Sequence, residues 1–459
     1  MTQYLTTTTY VQISNFRPGF GRFRPEEGPI VVQMMPQAPK SISSWQGGLI
    51  ASGSVFGFWM VLSWLGFTAP PELTWDEGFM LPVVEQLADR WPEPSVFWDF
   101  EDTKGPGFFV PAAILFDAGV GLEGLRLINL MLAICSAGLI GMLVKKNWCA
   151  AAAVGLLLAL MPYHAVLSHL FMSETSFVLG SIILGILATA GPKGEPGIWR
   201  PLAFGLGLAI LLHHRVHAVV PAAAAVLVAF QRDGSPAWRY GLAGLAAGIL
   251  RLPLYLEWGG LVSPEYANRY GMGFSPEAVV YLLGAVAPLV WVGVPLGWSK
   301  RPTLMAWVGV LTVMIALVTG PDLASPDGGV RPDGTFPLRF QGLLATAVLK
   351  LPLSIQPFAL TLSVAMGTMG LTGLYLQLPK PGLDENDGFP RYGWYLLAFG
   401  CLLYVATRGA VYDRYLLCFG CGLPILLVRH APGWSVAGQG CFWLLLTLWS
   451  ASNWLLPTS

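Results

Sequence analysis

The feature that most constrains this chain is a series of apolar segments, each close to the length needed to cross a bilayer. Examples lie at residues 47–67, 125–144, 281–298 and 441–456. An α-helix of about 20 residues spans about 30 Å, which is the hydrocarbon thickness of a membrane. Because lipid offers no hydrogen-bond partners, each segment must satisfy its own backbone, and the alternating ten-residue strands of a membrane barrel are absent from the sequence. The pattern predicts an all-α polytopic membrane protein.

Composition supports this class and excludes an ordinary soluble globule. Apolar residues make up 54% of the 459 residues, charged residues make up 11%, and the mean hydropathy is +0.59. The apolar pattern predicts about 11–14 transmembrane helices, with segments at residues 47–68, 124–144, 149–164, 172–190, 200–213, 216–230, 238–256, 278–297, 303–320, 357–378, 392–407, 413–429 and 438–456.

The predicted domain organisation is a tail followed by one membrane domain. Residues 1–46 are polar, rich in Thr, Pro and Gly, and predict a disordered tail rather than a signal peptide. Residues 47–459 form the single transmembrane domain. Three long outer loops are predicted at about 69–123, 257–277 and 320–356, and the last turns amphipathic from Phe336, which favours a re-entrant or interfacial segment.

The distribution of charge orients the chain. With the tail placed in the cytoplasm, its side holds 15 of the 26 Lys and Arg residues and only 7 acidic residues, and the other side holds 11 basic and 19 acidic residues. The positive-inside rule therefore predicts a cytoplasmic N-terminus. The short inner and long outer loops indicate that the working face is periplasmic, extracellular or lumenal, and the lack of a disulfide set favours a bacterial inner membrane.

The first outer loop is unusually acidic for so apolar a chain. Residues 72–104 hold nine carboxylates and only two basic residues, Arg90 and Lys104. Because ionised groups are costly near a membrane interior, such a concentration favours chemistry over packing. Asp76 follows the first long apolar segment and is the candidate general base, with Glu77 orienting a hydroxyl or sharing the proton transfer. The alternative is that both acids stabilise the start of a short surface helix.

Three motifs in and after this loop resemble a known superfamily. They are Asp76-Glu77-x-Phe79-x-x-Pro82, Trp98-Asp99-x-x-x-Thr103-x-x-Pro106-Gly107-Phe108 and Leu125-Arg126-x-x-Asn129. Their order and spacing resemble the GT-C membrane glycosyltransferases, above all the family of dolichyl-phosphate-glucose α-1,2-glucosyltransferases. Protein O-mannosyltransferases and lipid A aminoarabinose transferases are similar more loosely. A late element, Tyr412-Asp413-Arg414-Tyr415-Leu416-Leu417, is similar to an Arg-Tyr element of bacterial members.

This resemblance implies a hexosyltransferase-type enzyme that takes a sugar from a polyprenyl-phosphate carrier and transfers it, with inversion, to a glycan, lipid or protein hydroxyl. The chain departs from the family pattern at three places: Met80 replaces a His, Lys104-Gly105 replaces Thr-Pro, and His213-His214-Arg215 replaces a different polar set. The sugar and the acceptor are therefore not carried over.

The remaining candidate site residues are assigned to substrate binding, each with a plainer alternative. Asp99 could orient the acceptor, bind a divalent ion or solvate the loop. The resemblance adds Thr103, while Asp102 and its neighbour Glu101 fit a solvated loop as well. Lys104 is assigned to a phosphate or to a membrane-interface anchor, and Arg215 to a phosphate or to interfacial packing. Arg126 either meets an anion or snorkels outward, and Glu174 has either an active-site role or that of a helix-dipole charge. Arg414 either meets the leaving phosphate or forms a local ion pair or anchor with Asp413.

Cofactors and other partners are constrained by what the sequence lacks. His213 and His217 have a spacing that zinc sites use, but no carboxylate lies among them and Arg215 would repel a cation, so His213 is assigned to phosphate binding beside Arg215. No metal site is predicted, and a divalent ion at Asp99 is the one cofactor considered. The chain has no basic tract for nucleic acid, and its expected partners are the lipid-linked donor, the acceptor and membrane lipids.

Three other functions fit a polytopic membrane protein. A transporter or lipid flippase would carry charges near the bilayer midplane and repeat symmetry, whereas these charges lie at predicted helix ends. A scaffold would leave the acidic loop unexplained. A phospholipid-modifying transferase of another chemistry shares the handling of lipid phosphate.

Overall fold

The computed structural model describes most of the chain after the tail. The described residues are 42–69, 72–73, 75–93, 95, 104–144, 147–190, 197–260, 263–264, 271–272, 275–320, 323, 339–378, 388–403, 407–408, 410–412 and 414–454. The predicted tail, apart from its last five residues, and residues 321–322 and 324–338 of the predicted loop at 320–356 lie outside these ranges.

The all-α class is confirmed. The helices are Ser44–Trp64 (α1), Trp75–Arg90 (α2), Pro106–Asp117 (α3), Leu122–Met142 (α4), Trp148–Leu160 (α5), His164–His169 (α6), Ser173–Thr189 (α7), Trp199–His214 (α8), Val219–Asp233 (α9), Trp238–Trp258 (α10), Pro276–Ala285 (α11), Ala287–Val290 (α12), Gly293–Lys300 (α13), Pro302–Thr319 (α14), Leu343–Leu349 (α15), Gln356–Gln377 (α16), Gly388–Leu402 (α17), Tyr415–Gly420 (α18), Leu423–His430 (α19) and Gly433–Trp454 (α20). Short 3₁₀ turns at Val216–Ala218 and Ser235–Ala237 precede α9 and α10.

Five helical segments of the described chain are long and apolar enough to cross a membrane. They are Ser44–Trp64, Leu122–Met142, Val216–Asp233, Pro302–Thr319 and Gln356–Gln377. Helices also occupy the other predicted segments, but several of these are shorter than the sequence pattern predicts. The protein is therefore an all-helical, membrane-embedded chain with at least these five candidate spans.

Two predicted continuous helices are broken in the structure. The segment predicted at 278–297 forms α11, α12 and α13 in succession. Pro288 at the start of α12 has no N–H to donate, which favours a helix start over a helix interior. The Pro288 carbonyl accepts hydrogen bonds from Gln439 Nε2 at 2.7 Å and Trp443 Nε1 at 2.9 Å. The second break separates α18 from α19, just before Pro424.

Within the described residues, four short strands form two pairs. Gly271–Met272 (β1) pairs antiparallel with Thr407–Arg408 (β3), and Arg339–Gln341 (β2) pairs parallel with Ala410–Tyr412 (β4). The register of the second pair sets Arg339 opposite Ala410 and Gln341 opposite Tyr412. A segment of the predicted loop at 320–356 is thereby bonded to the strand that ends two residues before Arg414.

The first predicted outer loop is largely helical. Helix α2 begins with Asp76 and Glu77 in its first turn, where the helix dipole and the unpaired amides favour acidic side chains. Its buried residues recur at intervals of three and four: Met80, Val84, Leu87 and Ala88. The short helix α3 follows after the described residues resume at Lys104. The acids thus start a helix, as the alternative interpretation expected, and they are also brought to the site described below.

Helix ends that are distant in sequence meet in two groups. Among the ends predicted to be external, Gly105 N donates to His214 O at 2.9 Å, Leu343 N donates to Tyr163 Oη at 2.6 Å, and Arg414 contacts Asp76. Among the ends predicted to be cytoplasmic, Arg429 donates to Leu143 O, Arg232 to Ala190 O, and Lys300 to Leu376 O. The first group holds the candidate site.

Glycines allow α16 to pack directly on the broken helix α11–α13. A Cβ at Gly370 would lie 2.5 Å from the Val290 carbonyl oxygen, and one at Gly367 or Gly373 would overlap the carbonyl oxygen of Leu283 or Gly293. These three glycines recur every third residue and so share one helix face. Small residues at such a face let two membrane helices approach through their backbones.

We predict that Gly370→Leu lowers the free energy of unfolding by at least about 1–3 kcal/mol, because the side chain has no space beside the Val290 carbonyl. Thermal unfolding of the purified protein in detergent measures the effect. The matched control is Gly57→Leu in α1, since nothing in the described part of the chain lies within 4 Å of a Cβ at that position. Equal stability of the two variants would contradict this packing.

Candidate functional site

Four charged side chains from distant parts of the sequence meet where the external helix ends converge. They are Asp76, Glu174, Arg215 and Arg414, which we call the charged cluster. Arg414 Nη1 lies 2.5 Å from Asp76 Oδ2, and Arg414 Nε lies 3.7 Å from Glu174 Oε1. Arg215 Nη2 lies 3.0 Å from the same Glu174 oxygen. Glu174 therefore joins two arginines, and one of them also holds Asp76.

Each member of the cluster stands at the end of a helix. Asp76 and Glu174 lie in the first turns of α2 and α7, where the amide groups of a helix start favour a carboxylate. Arg215 occupies an extended residue between α8 and the 3₁₀ turn, and its N–H donates to Leu211 O. Arg414 directly precedes α18. The helix ends supply rigid positions for charges that a helix interior in lipid would not tolerate.

The cluster is nearly closed to solvent but not uniformly so. Glu174 is fully buried, whereas Asp76 keeps 9% of its surface exposed. The Arg414 side chain is 14% exposed. Asp76 and Arg414 therefore form the accessible edge of the cluster, with the ion pair of Glu174 and Arg215 behind them.

Lys104 adds a third cation. It lies close enough to Glu174 for its charge to stabilise the carboxylate. Arg215, Arg414 and Lys104 thus bring three cationic side chains to act on Glu174. Cationic side chains gathered in one place favour an anionic ligand.

The turn that carries Lys104 is packed on the end of α8. Gly105 N donates to His214 O, and a Cβ at Gly105 would overlap the His213 carbonyl oxygen. At Gly107 a Cβ would lie 2.9 Å from His214 N. The two glycines are required here because the turn touches backbone, which leaves no room for a side chain.

Hydroxyl groups in the first turn of α7 extend the polar surroundings. Ser173 Oγ accepts a 3.0 Å hydrogen bond from Arg215 Nε and a second from Arg215 Nη2. Ser176 Oγ lies 2.6 Å from His214 Nε2. The His214 ring packs against Phe108 at a centroid distance of 5.3 Å. Arg215 is thus fixed on both sides, by a carboxylate and by a hydroxyl.

Glu77 and Arg126 form a separate and deeper ion pair. Arg126 Nη2 donates to Glu77 Oε2 at 2.6 Å, and Arg126 Nε donates to Glu77 Oε1 at 2.9 Å. Glu77 Oε1 also accepts a 2.7 Å hydrogen bond from Phe171 N. Arg126 further donates to Glu123 Oε1 and to Glu72 O. The pair joins α2 and α4 to the turn that precedes Glu174.

Asn129 follows Arg126 by three residues in α4 and holds the loop before Glu174 by hydrogen bonds to its carbonyl groups. Its Nδ2 donates to Leu170 O at 2.6 Å and to Leu167 O at 2.9 Å, and it contacts Thr175 Oγ1. Burial lowers the pKa of His169 in the neighbouring α6, so its imidazole does not supply another cation at neutral pH. Asn129 and the pair of Glu77 and Arg126 together hold the backbone that positions Glu174.

The structure separates the histidines that the sequence groups together. His213 is half-buried, and its Nδ1 lies 2.9 Å from Ala209 O. Helix α8 ends at His214. His217 lies in the 3₁₀ turn, so the two histidines do not share one helix face as the zinc spacing requires. Across the described ranges, no group of three or more His, Cys, Asp or Glu side chains could hold a metal ion.

The candidate residues divide into three groups. Asp76, Glu174, Arg215, Arg414 and Lys104 come together, and Glu77 and Arg126 pair beside them. Asp99, Asp102, Thr103 and Asp413 lie outside the described residues. Sequence reasoning missed Asn129 as a turn-fixing residue, Ser173 and Ser176 as cluster partners, and Arg251, described below. A lone arginine in an apolar segment was the signal for Arg251.

We predict that Glu77→Gln lowers the free energy of unfolding by about 3–5 kcal/mol, because Arg126 would lose its buried carboxylate partner and keep the exposed Glu123. The matched control is Glu85→Gln, an exposed residue of the same helix, which we expect to leave stability unchanged. The double substitution Glu77→Leu with Arg126→Met should recover much of the loss, since it leaves no unpaired charge. Unfolding in detergent tests all three, and an unchanged Glu77→Gln protein would refute a stabilising pair.

Comparison with known proteins finds no protein-family model, no curated protein and no solved structure that matches this chain. Function is therefore inferred from the charged cluster together with the motif resemblance.

Proposed function

We propose that this protein is a membrane glycosyltransferase of the GT-C type, which transfers a sugar with inversion from a polyprenyl-phosphate carrier to an acceptor hydroxyl. One observation carries the proposal. Asp76, a carboxylate at the accessible edge of the charged cluster, pairs with Arg414, and Arg215 and Lys104 act on the adjoining Glu174. This pairing of a base with an anion-binding surface is what such a transfer requires.

Asp76 is the proposed general base. The acceptor oxygen forms a bond to the anomeric carbon while its proton passes to the Asp76 carboxylate. The bond between the anomeric carbon and the phosphate oxygen breaks, and its electron pair leaves with the lipid phosphate. Water then removes the proton from Asp76. Its 9% exposure, compared with none for Glu77, supports this choice of base.

Arg414, Arg215 and Lys104 are the proposed phosphate-binding groups. Cationic hydrogen-bond donors stabilise the negative charge that develops on the leaving phosphate. Without substrate, Asp76 and Glu174 neutralise the two arginines. An arriving phosphate competes for Arg414, which frees an oxygen of Asp76 for the acceptor proton. Glu174 then keeps Arg215 in place.

Glu77 and Arg126 are proposed to position the site rather than to react. Both Glu77 oxygens are engaged with Arg126, and one also accepts from Phe171 N. A carboxylate held in this way is a poor acceptor for a further proton. Of the two catalytic candidates from the sequence, Asp76 is therefore the proposed base. Asp99 and its neighbours are proposed to bind the acceptor or a divalent ion.

The proposed topology has 11–14 spans, a cytoplasmic N-terminus and an external active face in a bacterial inner membrane or an organelle. The shorter apolar helices, such as Trp148–Leu160 and Ser173–Thr189, join the five candidate spans in this arrangement. The shared location of the external helix ends supports it, because alternate helices then run in opposite directions. The lipid tail of the donor would lie between helices, with its phosphate at the charged cluster.

We predict that Asp76→Asn lowers the rate of sugar transfer by about 10²–10⁴-fold, since general base catalysis contributes in that range. The assay supplies membranes that contain the protein with a labelled panel of polyprenyl-phosphate sugars. Glu85→Gln, an exposed substitution on α2, should retain the wild-type rate. Equal protein levels and equal unfolding temperatures are required for the comparison.

Arg414→Gln should also lose activity, with a higher apparent KM for the donor. Transfer that survives Asp76→Asn would keep the reaction class and move the base to Asp99 or Glu77. If no donor supports transfer by the wild type, lipid-flipping in reconstituted vesicles tests the transporter alternative. Flipping that depends on Arg414 but not on a sugar acceptor would replace the transferase proposal.

A further inference from the structure

A second cationic group lies next to the charged cluster. Arg251 is in the apolar helix α10, seven residues before its end, and only 1% of its surface is exposed. Within the described part of the chain, its Nε and Nη1 atoms have no hydrogen-bond partner. Its guanidinium carbon lies 5.3 Å from the ring centre of Tyr255 and 5.4 Å from that of Trp258.

These aromatic contacts do not replace an anion. No carboxylate of the described residues forms an ion pair with Arg251, whereas Arg126 and Arg215 each have one. A buried cation retains a large desolvation cost unless a charge of opposite sign and further hydrogen bonds offset it. Arg391, a fourth buried arginine, likewise has no ion pair among the described residues, and the distinguishing feature of Arg251 is its position beside Gly105.

The guanidinium is directed at the turn that carries Lys104. Its Nη1 would lie 2.6 Å from a Cβ at Gly105, so the missing side chain of that glycine is what admits the arginine. The half-buried ring of His213 lies within electrostatic range of Arg251. Lys104, the residue before Gly105, acts on Glu174. Gly105, which faces Arg251, therefore directly follows Lys104, which acts on the charged cluster.

We propose that Arg251 forms a second oxyanion subsite, which binds a phosphate or carboxylate group other than the donor phosphate. The guanidinium presents two unpaired donors, Nε and Nη1, on different edges of its plane, and each can donate a charge-assisted hydrogen bond to an oxyanion. Tyr255 and Trp258 supply aromatic surface beside it. Because Arg251 is shielded, we expect the Lys104–Gly107 turn to shift as the anion enters.

This inference rests on the proposed function for the identity of the ligand. In the proposed function, the donor phosphate binds Arg414 and Arg215, and the Arg251 subsite binds an oxyanion of the acceptor. The acceptor would then be an anionic lipid-linked or free saccharide. An anionic headgroup of a membrane lipid has the same oxyanion chemistry, and the experiment separates the two sources.

The test measures anion binding without sugar transfer. The full chain in neutral detergent is titrated with inorganic phosphate at constant ionic strength, and the unfolding temperature is recorded. We expect two components of stabilisation in the wild type. Arg251→Met should lose one of them or weaken it by at least about tenfold, as expected when a charge-assisted hydrogen-bond partner is removed. Arg239→Met, an exposed residue of the same helix, should keep both.

The unfolding temperature without phosphate distinguishes a ligand site from a structural arginine. We expect Arg251→Met to unfold at the wild-type temperature or above it, because an unpaired buried charge is removed. A clear fall would mean that the aromatic contacts alone justify Arg251 and would overturn the proposal, as would two intact phosphate components. Arg251→Lys, which keeps the charge without the planar fork, provides a second variant if Arg251→Met does not fold.

Two further arms identify the source of the anion and separate this inference from the transferase proposal. Nanodiscs of phosphatidylcholine with and without phosphatidylglycerol are compared in wild type and Arg251→Met. If phosphatidylglycerol stabilises the protein and this effect requires Arg251, the subsite binds a lipid headgroup. If phosphatidylglycerol has no such effect while the Arg251-dependent phosphate component is present, the subsite binds a substrate. Asp76→Asn, inactive in transfer, should keep the Arg251 component, so the two proposals fail independently.

Discussion

The buried ion pair of Glu77 and Arg126 is the interaction on which the site depends. It joins the start of α2 to α4, and through Phe171 N it also fixes the turn before Glu174. Asn129 donates hydrogen bonds to the carbonyl groups of Leu167 and Leu170 on the other side of that turn. In a low-dielectric interior such a pair has to be fully hydrogen-bonded to be tolerated, and this one is. Its geometry fixes where the neighbouring carboxylates can lie.

The same constraint explains the layout of the charged cluster. A membrane protein cannot leave ionised groups among lipid chains, so they gather at helix ends, where exposed amides and opposite charges stabilise them. Asp76 and Glu174 begin helices, and Arg215 and Arg414 occupy the junctions just before helices. Arg251 departs from this rule because it lies within a helix, and no carboxylate of the described residues pairs with it.

Several features could be predicted from the sequence. The apolar segments predict the all-α class and the approximate helix positions, because the length and hydrophobic pattern of each segment are enough for such a prediction. Asp76, Lys104, Glu174, Arg215 and Arg414 stood out because charges are rare in this chain. The division of the predicted helix at 278–297 into α11, α12 and α13 was not predicted, although Pro288 stands at the start of α12. The role of Glu77 was assigned to catalysis beside Asp76, and the contact with Arg126, 49 positions away, favours positioning instead.

The sequence by itself determined that this chain is helical and built for a membrane, because hydrophobic length and backbone hydrogen bonding act locally along the chain. It also marked the rare charged residues. Only the tertiary structure decided which charges meet. Asp76 and Arg414 are 338 positions apart, and no local pattern encodes their 2.5 Å contact. That contact depends on the strand pairing just before Arg414 and on the ion pair of Glu77 and Arg126, which holds the start of α2, and both join segments distant in sequence.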